Sequence, residues 1–350
     1  MSLSMLIRSV AAGSVIAVAG YIGNAQADAV ADFYSGKSIS LIIGYSPGGG
    51  YDTYARVLAR HMGKHIPGNP SIVPKNMPGA GAVVAANYMF ASTPKDGTNL
   101  GVVAASAIMD PLFSGKRSKA KYRPDQFSVI GNMNRETWTC GVWKSSGVSS
   151  FDDLVKGKAV TFGSTGPAAI TSQHARVFNS LAGTRIKVIY GYKGTKDVNL
   201  AMRKGEVGGS CGISESTIKS RWFKDVEKGD LKIIIQLGAE KKAALKNAAY
   251  IFDYAKDDNA LKAMKAIFGR DVLGRPVVAS PGIPADRAKA LRQAFIDTMK
   301  DPDYLADAKK ARLETDWNSG AEVEKMIAGF LATPPKAIAL ARQALAVAKK

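Results

Sequence analysis

Between a nearly continuous apolar run, Ile39 to Tyr45, and a helical pattern carrying Tyr54, Leu58 and Met62 on one face lies Ser46-Pro47-Gly48-Gly49-Gly50. A strand that feeds a glycine-rich turn, with a helix opening near Tyr51-Asp52, leaves bare backbone N–H groups where an anion can approach them. The helix dipole adds roughly 0.3–1 kcal/mol and each charge-assisted hydrogen bond about 1.5–3 kcal/mol, so a small carboxylate fits. The turn lacks the Gly-Lys-Ser/Thr ending of a Walker loop and the G-x-G-x-x-G spacing of a dinucleotide fingerprint. Taken alone, the glycine triplet serves equally well as a plain tight turn. A second loop, Gly163-Ser164-Thr165-Gly166-Pro167, also joins a strand to a helix. Ser164 and Thr165 could hold the other end of a ligand, or Thr165 or Thr171 could simply cap the helix. A third loop, Tyr192-Lys193-Gly194, follows the strand ending at Tyr190, and Lys193 there is either an anion partner or a solvated side chain. Three loops at the C-terminal ends of strands form a pattern, because open α/β sheets bind ligands there.

Groups for catalysis or metal binding are sparse. His61 and His65 share a helix face and could chelate a metal, but Gly63 interrupts that helix and no third ligand is visible. His174 sits one turn into a helix with apolar Ile170, Val177 and Leu181, where a hydrogen-bonded packing role is the expectation. No G-x-S-x-G, H-E-x-x-H or S-x-x-K motif stands out. Asp52 with His174 is the one acid–base pair that an enzyme could be built on. No cofactor or metal site is expected. Cys140 and Cys211 could pair in an oxidising compartment, yet two buried thiols in strands is the favoured reading.

These residues need a frame. The chain has 350 residues, 46% hydrophobic and 22% charged, which excludes an intrinsically disordered or collagen-like protein. Further strands are expected at Leu100–Ala105, Ala159–Gly163, Lys187–Tyr190, Val207–Ile213 and Leu231–Leu237. Helices are expected at Ala82–Ala91, Ile170–Leu181 (closed by Gly183) and Lys196–Lys204 (before Gly205), and the last third is helical, with Ala288, Leu291, Phe295 and Met299 on one face. Repeated β-α units predict an α/β architecture with parallel sheets. At the N-terminus, Arg8, the apolar stretch Val10–Ile22 and Ala25-Gln26-Ala27 form the three parts of a cleavable secretory signal peptide, residues 1–27. The formal net charge of +19 is spread along the chain without a basic block, which argues against nucleic acid in an exported protein and leaves small anions or solubility.

In order along the chain, Ser38 to Asp52, Asn76-Met77-Pro78-Gly79-Ala80-Gly81, Pro94 to Leu100, Tyr192-Lys193-Gly194, Gly205-Glu206-Val207 and Pro281-Gly282-Ile283-Pro284 resemble the signatures of the tripartite tricarboxylate transporter receptors, the Bug family of periplasmic solute-binding proteins. The resemblance implies a two-lobed periplasmic-binding-protein type II clamshell with two crossing strands. Lobe 1 would be 28–131 plus 239–350 and the inserted lobe 2 would be 132–238. It implies a periplasmic monomer that closes on a small organic carboxylate, without nucleic acid, and docks on membrane subunits of the transporter. By position, Tyr45, Ser46, Gly48, Gly49, Gly50 and Asp52 would make the first contact with Ser106 nearby, and Ser164, Thr165, Gly166 and Tyr192 would face them.

Several positions depart from the family pattern. Tyr45 and Ser46 stand where Phe and Pro are usual. Pro167-Ala168-Ala169-Ile170 replaces a small polar run, and Gly208 replaces an acid that would pair with a ligand ammonium. Trp138 could stack on an aromatic ligand or serve as a core or hinge residue. The expectation is an organic mono- or dicarboxylate, aromatic acids included, over an amino acid. A periplasmic sensor adaptor for a membrane kinase, or a carboxylate-processing enzyme, are the rival classes.

Overall fold

The computed structural model describes residues 29–238 and 241–346, and the expected leader lies outside the described residues. Among these, twelve strands form two six-stranded sheets. In chain order they are β1 (Ser38–Ile43), β2 (Ser71–Asn76), β3 (Asn99–Val102), β4 (Ser128–Asn132), β5 (Trp138–Trp143), β6 (Val160–Ser164), β7 (Ile186–Tyr190), β8 (Gly209–Ser214), β9 (Leu231–Leu237), β10 (Ala249–Tyr250), β11 (Pro276–Ala279) and β12 (Asn318–Ser319). The first sheet runs β12-β4-β11-β3-β1-β2 and the second β10-β9-β5-β8-β6-β7. Each defines one lobe of a two-lobed α/β molecule.

The apolar run of β1 is buried because β2 and β3 flank it in parallel and helices cover both faces. The parallel-sheet expectation is corrected, since both sheets are mixed. β11 is antiparallel to β3 and β4, and β5 is antiparallel to β8 and β9. The reason is connectivity: the chain leaves the first sheet through β4 and returns to it through β11 travelling the other way. The two crossing segments pair with each other. Met133 N–H donates to Arg275 O (3.0 Å), Gly274 N–H to Asn134 O (3.1 Å) and Glu136 N–H to Val272 O (3.0 Å). The second sheet reaches further along the chain than the boundary at 238 expected from sequence, because β10 pairs in parallel with β9 and the Tyr254 hydroxyl donates to Asp152 (2.6 Å).

Cys140 and Cys211 lie opposite each other on β5 and β8, with Cα atoms 4.0 Å apart, and form a disulfide. This corrects the preference for free thiols; both are fully buried in strands as expected, and it is the strand register that brings them together. The helix Ile170–Val177 continues through Phe178–Ala182 and ends at Gly183 in the left-handed conformation (φ 79°) that a C-terminal cap needs.

Candidate functional site

The first-lobe wall of the cleft is the turn from β1 into the helix Gly50–Met62. Gly48 has φ +84°, a left-handed conformation that favours glycine. Its N–H donates to Asp52 Oδ2 (2.8 Å), while Asp52 Oδ1 accepts from Arg56 Nε (2.8 Å) and Asn76 Nδ2 (2.9 Å). Asn76 Nδ2 also donates to Tyr45 O (2.8 Å). Asp52 is therefore the tie that shapes the loop from behind, with both carboxylate oxygens engaged inside the first lobe. Gly49, the N-cap, offers no side-chain acceptor, so the first N–H groups of the helix are left for another partner.

This turn faces the second lobe across a small cavity. Tyr45, Gly49 and Gly50 line it from the first lobe, with Tyr51 stacked on Tyr45 at a ring separation of 4.5 Å. Ile170, Thr171 and Thr195 line it from the second lobe, as do Gly212, Ser214 and Thr217. Trp138 and Arg275 close it from the crossing strands. The space left is about 20 Å³, of the order of one water. A small-molecule site takes roughly 300–1,000 Å³, so this is a closed cleft, and admitting a solute requires the lobes to part. A hollow of about 550 Å³ beside Arg60 and Lys64 is an open depression on the outer surface, away from the C-terminal ends of the strands.

The closed state is held by contacts between lobes. Ser46 Oγ donates to Asp197 Oδ2 (3.3 Å), Arg221 donates to Thr53, and Lys219 sits between Glu215 (2.8 Å) and Glu314 (2.5 Å). Gly166 packs on Ala80 and Gly81, where a Cβ would come within 2.9 Å of Gly81 N.

The sequence-derived residues thus separate into groups. Tyr45, Gly49 and Gly50 line the cavity, and Ser46 and Gly48 sit at its rim beside Asp197 and Lys196. Asp52 lies behind the turn. Ser164 and Thr165 stand behind Thr171, whose hydroxyl is 2.8 Å from Ser164 Oγ and accepts from Thr165 N–H (3.2 Å). Ser106 is buried at the start of a short helix, its hydroxyl without a hydrogen-bond partner, and is not part of the lining. Tyr192 packs against Gly163 in the smaller core cluster of the second lobe. Gly208 precedes β8 at the end opposite Ser214, about 20 Å along the strand, so its lack of an acid has no bearing on the cleft.

Sequence reasoning missed Thr195, Ser214, Thr217 and, most consequentially, Arg275. Arg275 is 1% exposed, yet its guanidinium lies 4.4 Å from the Tyr51 ring, 5.0 Å from Tyr54 and 5.3 Å from Trp138. Its Nη1 donates to Gly274 O (2.7 Å) and its Nη2 to Ser214 Oγ (2.9 Å). The nearest carboxylate oxygen, Glu136 Oε2, is 3.6 Å from Nη2, a Coulombic pairing beyond hydrogen-bond reach. Burial pushes the Glu136 carboxyl up, against the opposing pull of Arg275 and the hydrogen bonds from Ser216 and Asn134. Trp138 is a crossing-strand residue whose indole N–H donates to Asp271 O (2.6 Å) while its ring faces the cavity.

The histidines are occupied elsewhere. His61 Nε2 is 3.0 Å from Asp307 and His65 Nε2 is 2.9 Å from Asp301. His174 Nε2 is 2.7 Å from Asp271, and the ring packs edge-on to Phe268. Asp52 and His174 are each committed to other partners. Among the described residues no group of three or more His, Cys, Asp or Glu is placed to hold a metal ion, and no helix is long and apolar enough to cross a membrane.

Three solved structures share this architecture. Periplasmic binding protein BugD superposes with a TM-score of 0.70 at 16% identity, covering 89% of this chain and 98% of that one. MatC from Rhodopseudomonas palustris with bound malate gives 0.69 at 15% identity, covering 89% and 99%. R. palustris Rpa4515 with adipate gives 0.66 at 18% identity, covering 88% and 98%. At these identities the likeness concerns the fold. The sequence itself matches the model of the tripartite tricarboxylate transporter family receptors over residues 54–339, and the chain belongs to that family.

Proposed function

We propose that the protein is the extracytoplasmic solute receptor of a tripartite tricarboxylate-type transporter. It captures a small organic mono- or dicarboxylate between its lobes and delivers it to the membrane subunits. The observation that carries this reading is the closed cavity in which uncapped helix N-terminal N–H groups, a buried guanidinium and second-lobe hydroxyls converge. Each element favours an anion with a polar or polarisable body. Malate and adipate in the neighbouring structures are of this class. The expected leader at 1–27 fits work in the periplasm, and capture by a monomer fits a cleft complete within one chain.

Capture requires opening, entry and reclosure. The interlobe contacts combine exposed pairs, worth a few tenths of a kcal/mol to about 1 kcal/mol each, with buried ones such as Arg176 Nε donating to Leu345 O (2.8 Å), and ligand contacts add to them in the closed state. An affinity of ~1 μM corresponds to about 8 kcal/mol net, within reach of several charge-assisted bonds plus desolvation.

A thermal-shift screen of the mature protein against mono-, di- and tricarboxylates, aromatic acids and amino acids tests this reading. An acid at about 100 times its dissociation constant should stabilise the fold by roughly 2.7 kcal/mol, a rise of several degrees, with no product formed. Tight amino-acid binding with no response to any carboxylate would contradict the reading, and turnover of the ligand would move the protein to the enzymes.

A further inference from the structure

We propose that Arg275 is a direct carboxylate-binding residue, clamping the ligand's acid group together with the N-terminal N–H groups of the helix Gly50–Met62. The inference rests on the carboxylate-receptor reading above and adds a side-chain cation on a crossing strand to it.

Three observations converge on this group. Arg275 Nε is buried and has no hydrogen-bond partner, which is costly for a charged donor that stays unanswered. The side chain lines the cavity beside Gly49 and Gly50, and a Cβ at Gly50 would come within 2.9 Å of Nη2 and 2.7 Å of Thr217 Oγ1. The missing side chain of Gly50 therefore gives the guanidinium and the helix N-terminus a common approach. Finally, Glu136 stands at 3.6 Å and is itself held by Ser216 Oγ (2.6 Å) and Asn134 Nδ2 (2.9 Å), so it balances the charge without occupying the guanidinium's donors.

The rings of Tyr51, Tyr54 and Trp138 keep the guanidinium in place and dry, which strengthens its attraction for an incoming carboxylate. Because Arg275 sits where the chain crosses between lobes, a ligand it grips is tied to the hinge and to the first-lobe helix together. An acid group is then required at this end of the ligand, and a neutral amide of the same shape leaves the cation unpaired.

Isothermal titration with malate, adipate, benzoate and the neutral adipamide tests the assignment. Wild type is expected to bind at least one acid and not adipamide. The charge-neutral double variant Glu136→Gln/Arg275→Gln, chosen because Arg275→Gln alone would strand a buried carboxylate, should bind that acid about 10–100-fold more weakly while melting cooperatively. Gly50→Ala, which keeps both charges but crowds Nη2, should produce a loss of the same kind should the double variant not fold. Binding by the folded double variant within threefold of wild type, or adipamide binding as tightly as adipate, overturns the role of Arg275 while leaving the receptor reading intact. Wild type that binds no acid overturns both.

Discussion

On the first-lobe side of the cleft, the turn Ser46–Gly50 is fixed by Asp52, Asn76 and Arg56, and it presents backbone donors beside the Arg275 guanidinium. The second-lobe side presents hydroxyls bonded to one another: Thr171 to Ser164, and Ser214, which donates to Thr217 Oγ1 (2.7 Å) and accepts from its N–H (3.1 Å). A hydroxyl pair can rotate and exchange a partner for a ligand atom at small cost, whereas the first wall is preorganised. Under the proposed function, this contrast would give recognition of the acid group to the first lobe and tolerance for the body of the ligand to the second.

Four changes would sharpen or break this division. The largest effect is expected from replacing both Cys140 and Cys211 by alanine. Their bridge spans 71 residues, and its loss should cost about 2–4 kcal/mol in a denaturant titration while carboxylate affinity changes less than threefold. A loss of affinity as large as the loss of stability would show that the second wall also reads the charge.

Asp52→Ala removes the acceptor of three hydrogen bonds on a residue 4% exposed. It should lower stability by about 2–3 kcal/mol and acid affinity by roughly tenfold, measured by unfolding and calorimetry. Unchanged affinity would mean that the turn holds its shape without its tie. Thr171→Val should cost about 1 kcal/mol and alter the ranking among acids of different bodies, without admitting neutral amides.

The smallest effect concerns the periphery. Burial raises the Asp301 carboxyl, but Lys64 and His65 outweigh it and hold the group well below the usual carboxylate range. With the folded value below the unfolded one, the stabilisation is complete above about pH 4 and is lost as pH falls through the folded value. Asp301→Asn should therefore flatten the fall of melting temperature below pH 4 and leave ligand binding alone.

The elements that position the first wall were legible because they are local. Ile39–Tyr45 reads as a strand covered on both faces and the glycine triplet as a turn into a helix, and in the second lobe Leu231–Leu237 matches β9 from end to end. β2 escaped because Pro74, Lys75 and Asn76 break an apolar pattern that an edge strand does not need. β5 and β11 went unread, and with them the mixed sheets. Arg275 was invisible for a different reason. Its surroundings come from positions 51, 136 and 214, which only the closed fold brings together, and it is one of 48 basic residues in the chain. The mistaken weight given to Gly208 has the same origin, since strand direction decides which end of β8 meets the cleft.

A crystal structure of the protein with the acid that gives the strongest thermal shift would test the central claim most directly. The account predicts lobes closed over the ligand, its carboxylate within hydrogen-bond distance of the N–H groups of Gly49 or Gly50 and of Arg275, and its body against Thr171 and Thr195. A ligand bound outside the cleft, or one whose carboxylate rests on the second-lobe hydroxyls with the helix N-terminus unengaged, would contradict it.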